Sequence, residues 1–150
     1  MGKILRKDSK YKFLCKYEFQ FPWPISNRDM ISYGYGVDML EEDKSVLVVI
    51  KTPTNGISDL LDDNNIHINC NFSGIHIQYI SENETKIILI ANVDPKLEYV
   101  PNFIINYLLP ASGYYTMKYI QKTTENIDSE HRKRIENDEI YLDIKRRLTK

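Results

Sequence analysis

The chain has 150 residues, 20 basic against 21 acidic side chains and a formal net charge of -1. That length suits one domain with a real core, and the charge gives no global attraction to nucleic acid or an anionic membrane. Cys15 and Cys70 lie far apart with no CxxC or Cys/His cluster, so neither a disulfide framework nor a zinc site is indicated and both read as core residues. The start, MGKILRKDSK, is too polar for a signal peptide, and no apolar run approaches the roughly 20 residues of a membrane span. These features predict a cytoplasmic protein.

Residues 12 to 21, KFLCKYEFQF, alternate: Phe13, Cys15, Tyr17, Phe19 and Phe21 share one face, and Lys12, Lys16, Glu18 and Gln20 the other, as in a half-buried strand. Pro22 and Pro24 flank Trp23 and end that strand, because neither can donate to a ladder. Arg28 and Asp29 follow, placed to satisfy backbone groups and each other at the crossing to the next strand. A paired buried charge is commonly architectural, so a structural role is preferred for them over ligand contact. MISYGYGVDML alternates again, with Ile31, Tyr33, Tyr35, Val37 and Met39 against Ser32, Gly34, Gly36 and Asp38. EEDK reads as a turn into SVLVVIKT, apolar on both faces like an interior strand.

Pro53 to Asn65 carries Pro, Gly, Asp and Asn and reads as a loop of about 13 residues. Ile57, Leu60 and Leu61 are apolar within it, a pattern that suits a membrane-contact loop. IHINCNF at 66 to 72 reads as a strand, SG as a turn into IHIQYI, and SENE as a turn into TKIILIANV. Beyond Pro101 the period changes: Phe103, Ile104, Tyr107, Leu108, Met117 and Ile120 fit a long amphipathic helix kinked near Pro110. Residues 128 to 150 read as one charged helical extension with a thin stripe of Ile140, Ile144 and Leu148.

Reactive constellations are weak. His67 and His76 could face each other across a hairpin, but without a third ligand they are read as surface or wall residues. No Ser/His/Asp or Cys/His arrangement is supported, so no catalytic residue, metal or cofactor is expected. The basic stretch at 131 to 134 lies among acidic residues and reads as a solvated helix face.

FPWPISNRD, followed after the last strand by DPKLEYVPNFIIN, resembles the StAR-related lipid-transfer (START) family. In that family a proline-rich segment ending in Arg-Asp joins two strands, and an Asp, Pro, apolar-apolar-Asn pattern opens the last helix. Pro22, Trp23, Pro24, Asn27, Arg28 and Asp29 carry the first motif; Asp94, Pro101, Ile104, Ile105 and Asn106 carry the second, with Leu97 at the family's glycine. The resemblance covers residues 13 to 127 and implies an α+β helix-grip fold, a curved antiparallel sheet wrapped around a long C-terminal helix. It divides the chain into a START-like lipid-binding domain at 1 to 127, lacking the family's N-terminal elements, and the extension at 128 to 150.

The same resemblance implies function and lipid-binding residues. It is strongest toward the phosphatidylcholine-transfer type, whose aromatic cage positions fall on Tyr17 and near Phe72, with Met30 in place of a tyrosine and Gly34 in place of a cavity arginine. Non-enzymatic binding and intermembrane transfer of a lipid is expected, a glycerophospholipid such as phosphatidylcholine first and a sterol as the other candidate, with transient membrane contact and no nucleic-acid partner. A sheet with an unpaired edge also invites a homodimer or domain swap. The alternatives are a lipid-sensing module without transfer and a helix-grip enzyme acting on a cyclic hydrophobic substrate.

Overall fold

The computed structural model describes residues 2 to 21, 25 to 61, 64 to 98 and 100 to 148. They form two compact units, Met1–Lys96 and Leu97–Lys150. The first is a sheet of β1 (Gly2–Ser9), β2 (Lys12–Phe19), β3 (Arg28–Met39), β4 (Ser45–Lys51), β5 (Ile66–His67), β6 (Asn69–Ser81) and β7 (Glu84–Asp94), with the short α1 (Leu40–Asp43) between β3 and β4. Six strands run antiparallel in the order β1-β2-β3-β4-β6-β7, and β5 adds a two-residue parallel pairing to the start of β3. The second unit holds α2 (Asn102–Glu125), α3 (Ser129–Asn137) and α4 (Glu139–Leu148).

One strand appears that the sequence pattern does not show, and two expectations are corrected. The polar opening residues form β1, an edge strand paired to β2 and exposed along nearly its whole length; it lacks an apolar alternation because neither face is deeply buried. Ser73 and Gly74 do not turn the chain, since β6 runs straight through them. A Cβ at Gly74 would stand 3.3 Å from Phe72 Cζ, so this glycine admits an aromatic ring over the strand. The C-terminal tail is two helices. Asp138 leaves the helical conformation and its Oδ1 accepts from the Ile140 amide at 3.0 Å, a local bond that competes with helix continuation.

The second motif opens α2, with the amides of Ile104 and Ile105 donating to the Pro101 carbonyl at 2.9 and 3.3 Å. Pro101 suits that place because its fixed φ leads into a helix and it has no amide to leave unpaired. Pro110 lies inside α2 and supplies no amide for the Asn106 carbonyl one turn back. Among the described residues, no helix is long and apolar enough to cross a membrane.

Candidate functional site

The site is built from the strand corner that follows the proline segment. Pro22, Trp23 and Pro24 lie outside the described residues, but the chain on either side is tied together: Asn27 Oδ1 accepts from the Phe21 amide at 3.2 Å. Arg28 is 4% exposed and its guanidinium donates to the carbonyls of Ser26, Pro95 (3.4 Å) and Lys96 (3.2 Å), with the Phe21 ring 5.1 Å away. The start of β3 is thereby clamped to the end of β7. Asp94 shapes that end, since its Oδ1 accepts from the Lys96 amide at 2.9 Å and Lys96 takes a left-handed φ of 49°.

Asp29 is fully buried, with Lys16 Nζ at 3.5 Å from Oδ2 and His67 Nδ1 hydrogen-bonded to Oδ1. Adjacent strand residues point to opposite faces, so Arg28 and Asp29 serve two sides of the corner. The backbone reinforces it: Ile66 N donates to Asn27 O at 3.0 Å and Ile68 N to Asp29 O at 2.9 Å. His67, read as a surface or wall residue, is half-buried and also partners the buried carboxylate. A buried carboxylate requires such pairing.

Three of the four expected lipid-binding residues share one sheet face. Tyr17 and Met30 are cross-strand partners, and with Ile68, Cys70, Ile50 and Val93 they form an apolar cluster. Each well-buried apolar side chain there contributes roughly 1.5 to 3 kcal/mol. Gly34 lies two pleats along from Met30 on the same face, and among the described residues a Cβ there would meet nothing within 4 Å, so this position fronts open space. Burial, with Cys15 and Cys70 nearby, pushes the Tyr17 hydroxyl up to about 12. Burial likewise raises the Cys70 thiol.

Phe72 does not join this group. A bulge between Cys70 and Phe72 sets Phe72 opposite Asn92, and its ring lies over Gly74 near Leu47. Leu47 pairs with Val37 and Gly74 with Val49, itself paired to Tyr35, which places Phe72 on the face opposite Tyr17 and Met30. One cage cannot contain both aromatics. Sequence alternation misses this because an unseen bulge inverts every later side chain of the strand.

The loop carries a single 3-10 turn at Ser58–Leu60, with Leu60 N donating to Ile57 O at 3.0 Å. Leu60 is exposed while Ile57 and Leu61 are half-buried. Asp43, Ser45 and His76 do meet, unlike His67 and His76, which serve different strands. The Ser45 hydroxyl donates to Asp43, and His76 Nε2 lies 3.0 Å from it. Among the described residues His76 Nδ1 is buried without a partner, so none of their carboxylates holds the imidazole from behind as nucleophilic activation needs. Among the described residues no cluster could hold a metal ion.

No family model and no curated protein matches the chain. Solved structures do. The crystal structure of human STARD10 superposes with a TM-score of 0.76 at 17% identity, covering 97% of this chain and 57% of that one. Human StAR-related lipid transfer protein 5 gives 0.71 at 12% identity, over 83% of this chain and 59% of that one. The human StarD13 (DLC2) lipid transfer and protein localization domain gives 0.55 at 14%, over 64% and 47%. The chain thus spans about half to three fifths of those chains' lengths. With the corner, the antiparallel sheet and the C-terminal helices in place, the chain carries a START-like, helix-grip fold.

Proposed function

We propose that this chain binds a lipid non-covalently against the sheet face bearing Tyr17, Met30, Gly34 and Ile50, makes and breaks no bond, and carries the lipid between membranes. The observation that supports this most is the fold match over 97% of the chain to human STARD10, alongside a lipid transfer protein and a lipid transfer domain among the other matches. Acyl chains laid on that face lose water at a gain of about 0.8 kcal/mol per buried methylene. A headgroup meets one aromatic ring, Tyr17, beside a Met30 thioether. A quaternary ammonium therefore gains a single cation–π partner, on the order of 1 kcal/mol. Glycerophospholipids such as phosphatidylcholine bind with little headgroup preference on this reading, ahead of sterols. Leu60 and Leu61, with Ile57, touch the donor and acceptor membranes, making a cytoplasmic protein peripheral to them.

Native mass spectrometry with lipid extraction, followed by vesicle exchange of choline against ethanolamine lipids, tests the proposal. Wild type is expected to copurify with lipid and exchange it. Tyr17→Leu lowers the choline share and Met30→Tyr raises it several-fold, because a second ring adds on the order of 1 kcal/mol. Leu60→Asp with Leu61→Asp slows exchange while the melting temperature holds. Absence of bound lipid and of exchange sinks the reading. Binding without exchange leaves a lipid sensor, and a ligand of altered mass points to a helix-grip enzyme.

A further inference from the structure

Among the described residues the main path of the sheet ends in β1 and β7, with the two-residue β5 off that path, and these two edges differ in how they are guarded. Opposite β2, β1 carries extra residues between Ile4 and Arg6 and between Lys7 and Ser9, and it bears Lys3, Arg6 and Lys7. Bulges and basic side chains are how edges discourage further pairing. In β7 every residue pairs in unbroken succession, because both register shifts against β6 fall on the β6 side. Its middle exposes three consecutive apolar residues, Ile88 at 43%, Leu89 at 42% and Ile90 at 59%. Among the described residues its outer edge has no strand partner.

We propose that β7 pairs antiparallel with β7 of a second copy about a two-fold axis at Ile90, joining two sheets into one. Charge complementarity selects both the partner and the register. Pairing centred on Ile90 sets Lys86 opposite Asp94 of the second copy and brings Glu84 toward its Lys96, each contact made twice by symmetry. One face then stacks Ile90 on itself and Ile88 on Asn92; the other stacks Leu89 on Ala91 and Ile87 on Val93. Centring on Leu89 sets Glu84 against Asp94, and centring on Ala91 sets Lys86 against Lys96. Both of those registers oppose like charges, which destabilises a cross-strand pair.

Sedimentation velocity over roughly 1 to 100 µM, with far-ultraviolet circular dichroism to confirm folding, tests this. Wild type is expected to dimerise. Ile90→Lys, an exposed position, weakens the dimer at least about tenfold by opposing two ammonium groups at the axis. Lys86→Glu and Asp94→Lys are each monomeric alone, yet an equal mixture forms heterodimers. In the mixed pair the two substituted side chains, now of opposite charge, face each other, and the unchanged Asp94 of one copy faces the unchanged Lys86 of the other. A wild type monomeric at the highest concentration overturns the proposal and leaves the edge to a strand of another sequence. A dimer indifferent to Ile90→Lys, or a mixture that stays monomeric, overturns it equally.

Discussion

The two halves of β3 belong to one unbulged strand, yet Arg28 to Ser32 are all buried while Tyr35 to Asp38 are all exposed. Hydropathy runs the other way, since the buried half holds an arginine and an aspartate and the exposed half is mostly tyrosine, glycine and valine. What separates them is the supply of partners. The first half lies between β2 and β5 and beneath the Pro95–Lys96 carbonyls, so its charges find donors and acceptors in place. The second half pairs with β4 but runs past the end of β2, whose last partner in it is Tyr35, and Gly36 has no side chain to bury. Burial here follows the satisfaction of polar groups as much as their absence.

Breaking the buried half at its charge has the largest expected effect. Arg28→Leu leaves the carbonyls of Ser26, Pro95 and Lys96 without their donor and unties β7 from β3, a loss of about 3 kcal/mol in unfolding free energy. Thermal and urea unfolding read it directly. An unchanged midpoint combined with lost lipid binding reassigns Arg28 as a ligand contact.

A matched pair of truncations sharpens the contrast without touching charge. Ile31→Ala removes a side chain that is 1% exposed and is expected to cost about 3 kcal/mol, whereas Val37→Ala, at 43% exposed, costs under about 0.5 kcal/mol. Equal costs in urea melts mean that the open half of β3 is covered in solution.

The sequence made this corner legible in part. Prolines ahead of Arg28 and Asp29 marked a strand crossing needing fixed hydrogen bonds, and alternation in residues 12 to 21 placed Tyr17 toward the interior. The partners of Asp29 were hidden for two different reasons. Lys16 sat on the face that alternation labels as solvent, and reaches Asp29 diagonally across the β2–β3 pairing. His67 arrives through a two-residue parallel pairing, too short to leave a periodic signal. β1 was missed because an edge strand exposed on both faces carries no alternation, and Phe72 because a bulge changes face without changing composition.

The smallest expected effect lies in the alkaline range and rests on Tyr17. Its hydroxyl is raised from 10.0 to about 12, chiefly by burial, so the native state keeps a proton that the unfolded chain gives up near pH 10. Below that pH both states are neutral and Tyr17 contributes its full stability. As pH climbs from 10.0 toward about 12, only the unfolded chain ionises, and stability falls. Other groups titrate there as well, so the informative quantity is the difference between wild type and Tyr17→Phe, which keeps the ring and removes the titrating hydroxyl. Urea midpoints of the two proteins should part between about pH 9 and about pH 11, with wild type losing more. Ultraviolet titration should show one of the 11 tyrosines ionising late in wild type and missing from the variant. If both proteins lose stability with the same slope, the Tyr17 hydroxyl is solvated, and the ring does not pack against Met30 on the face assigned to the lipid.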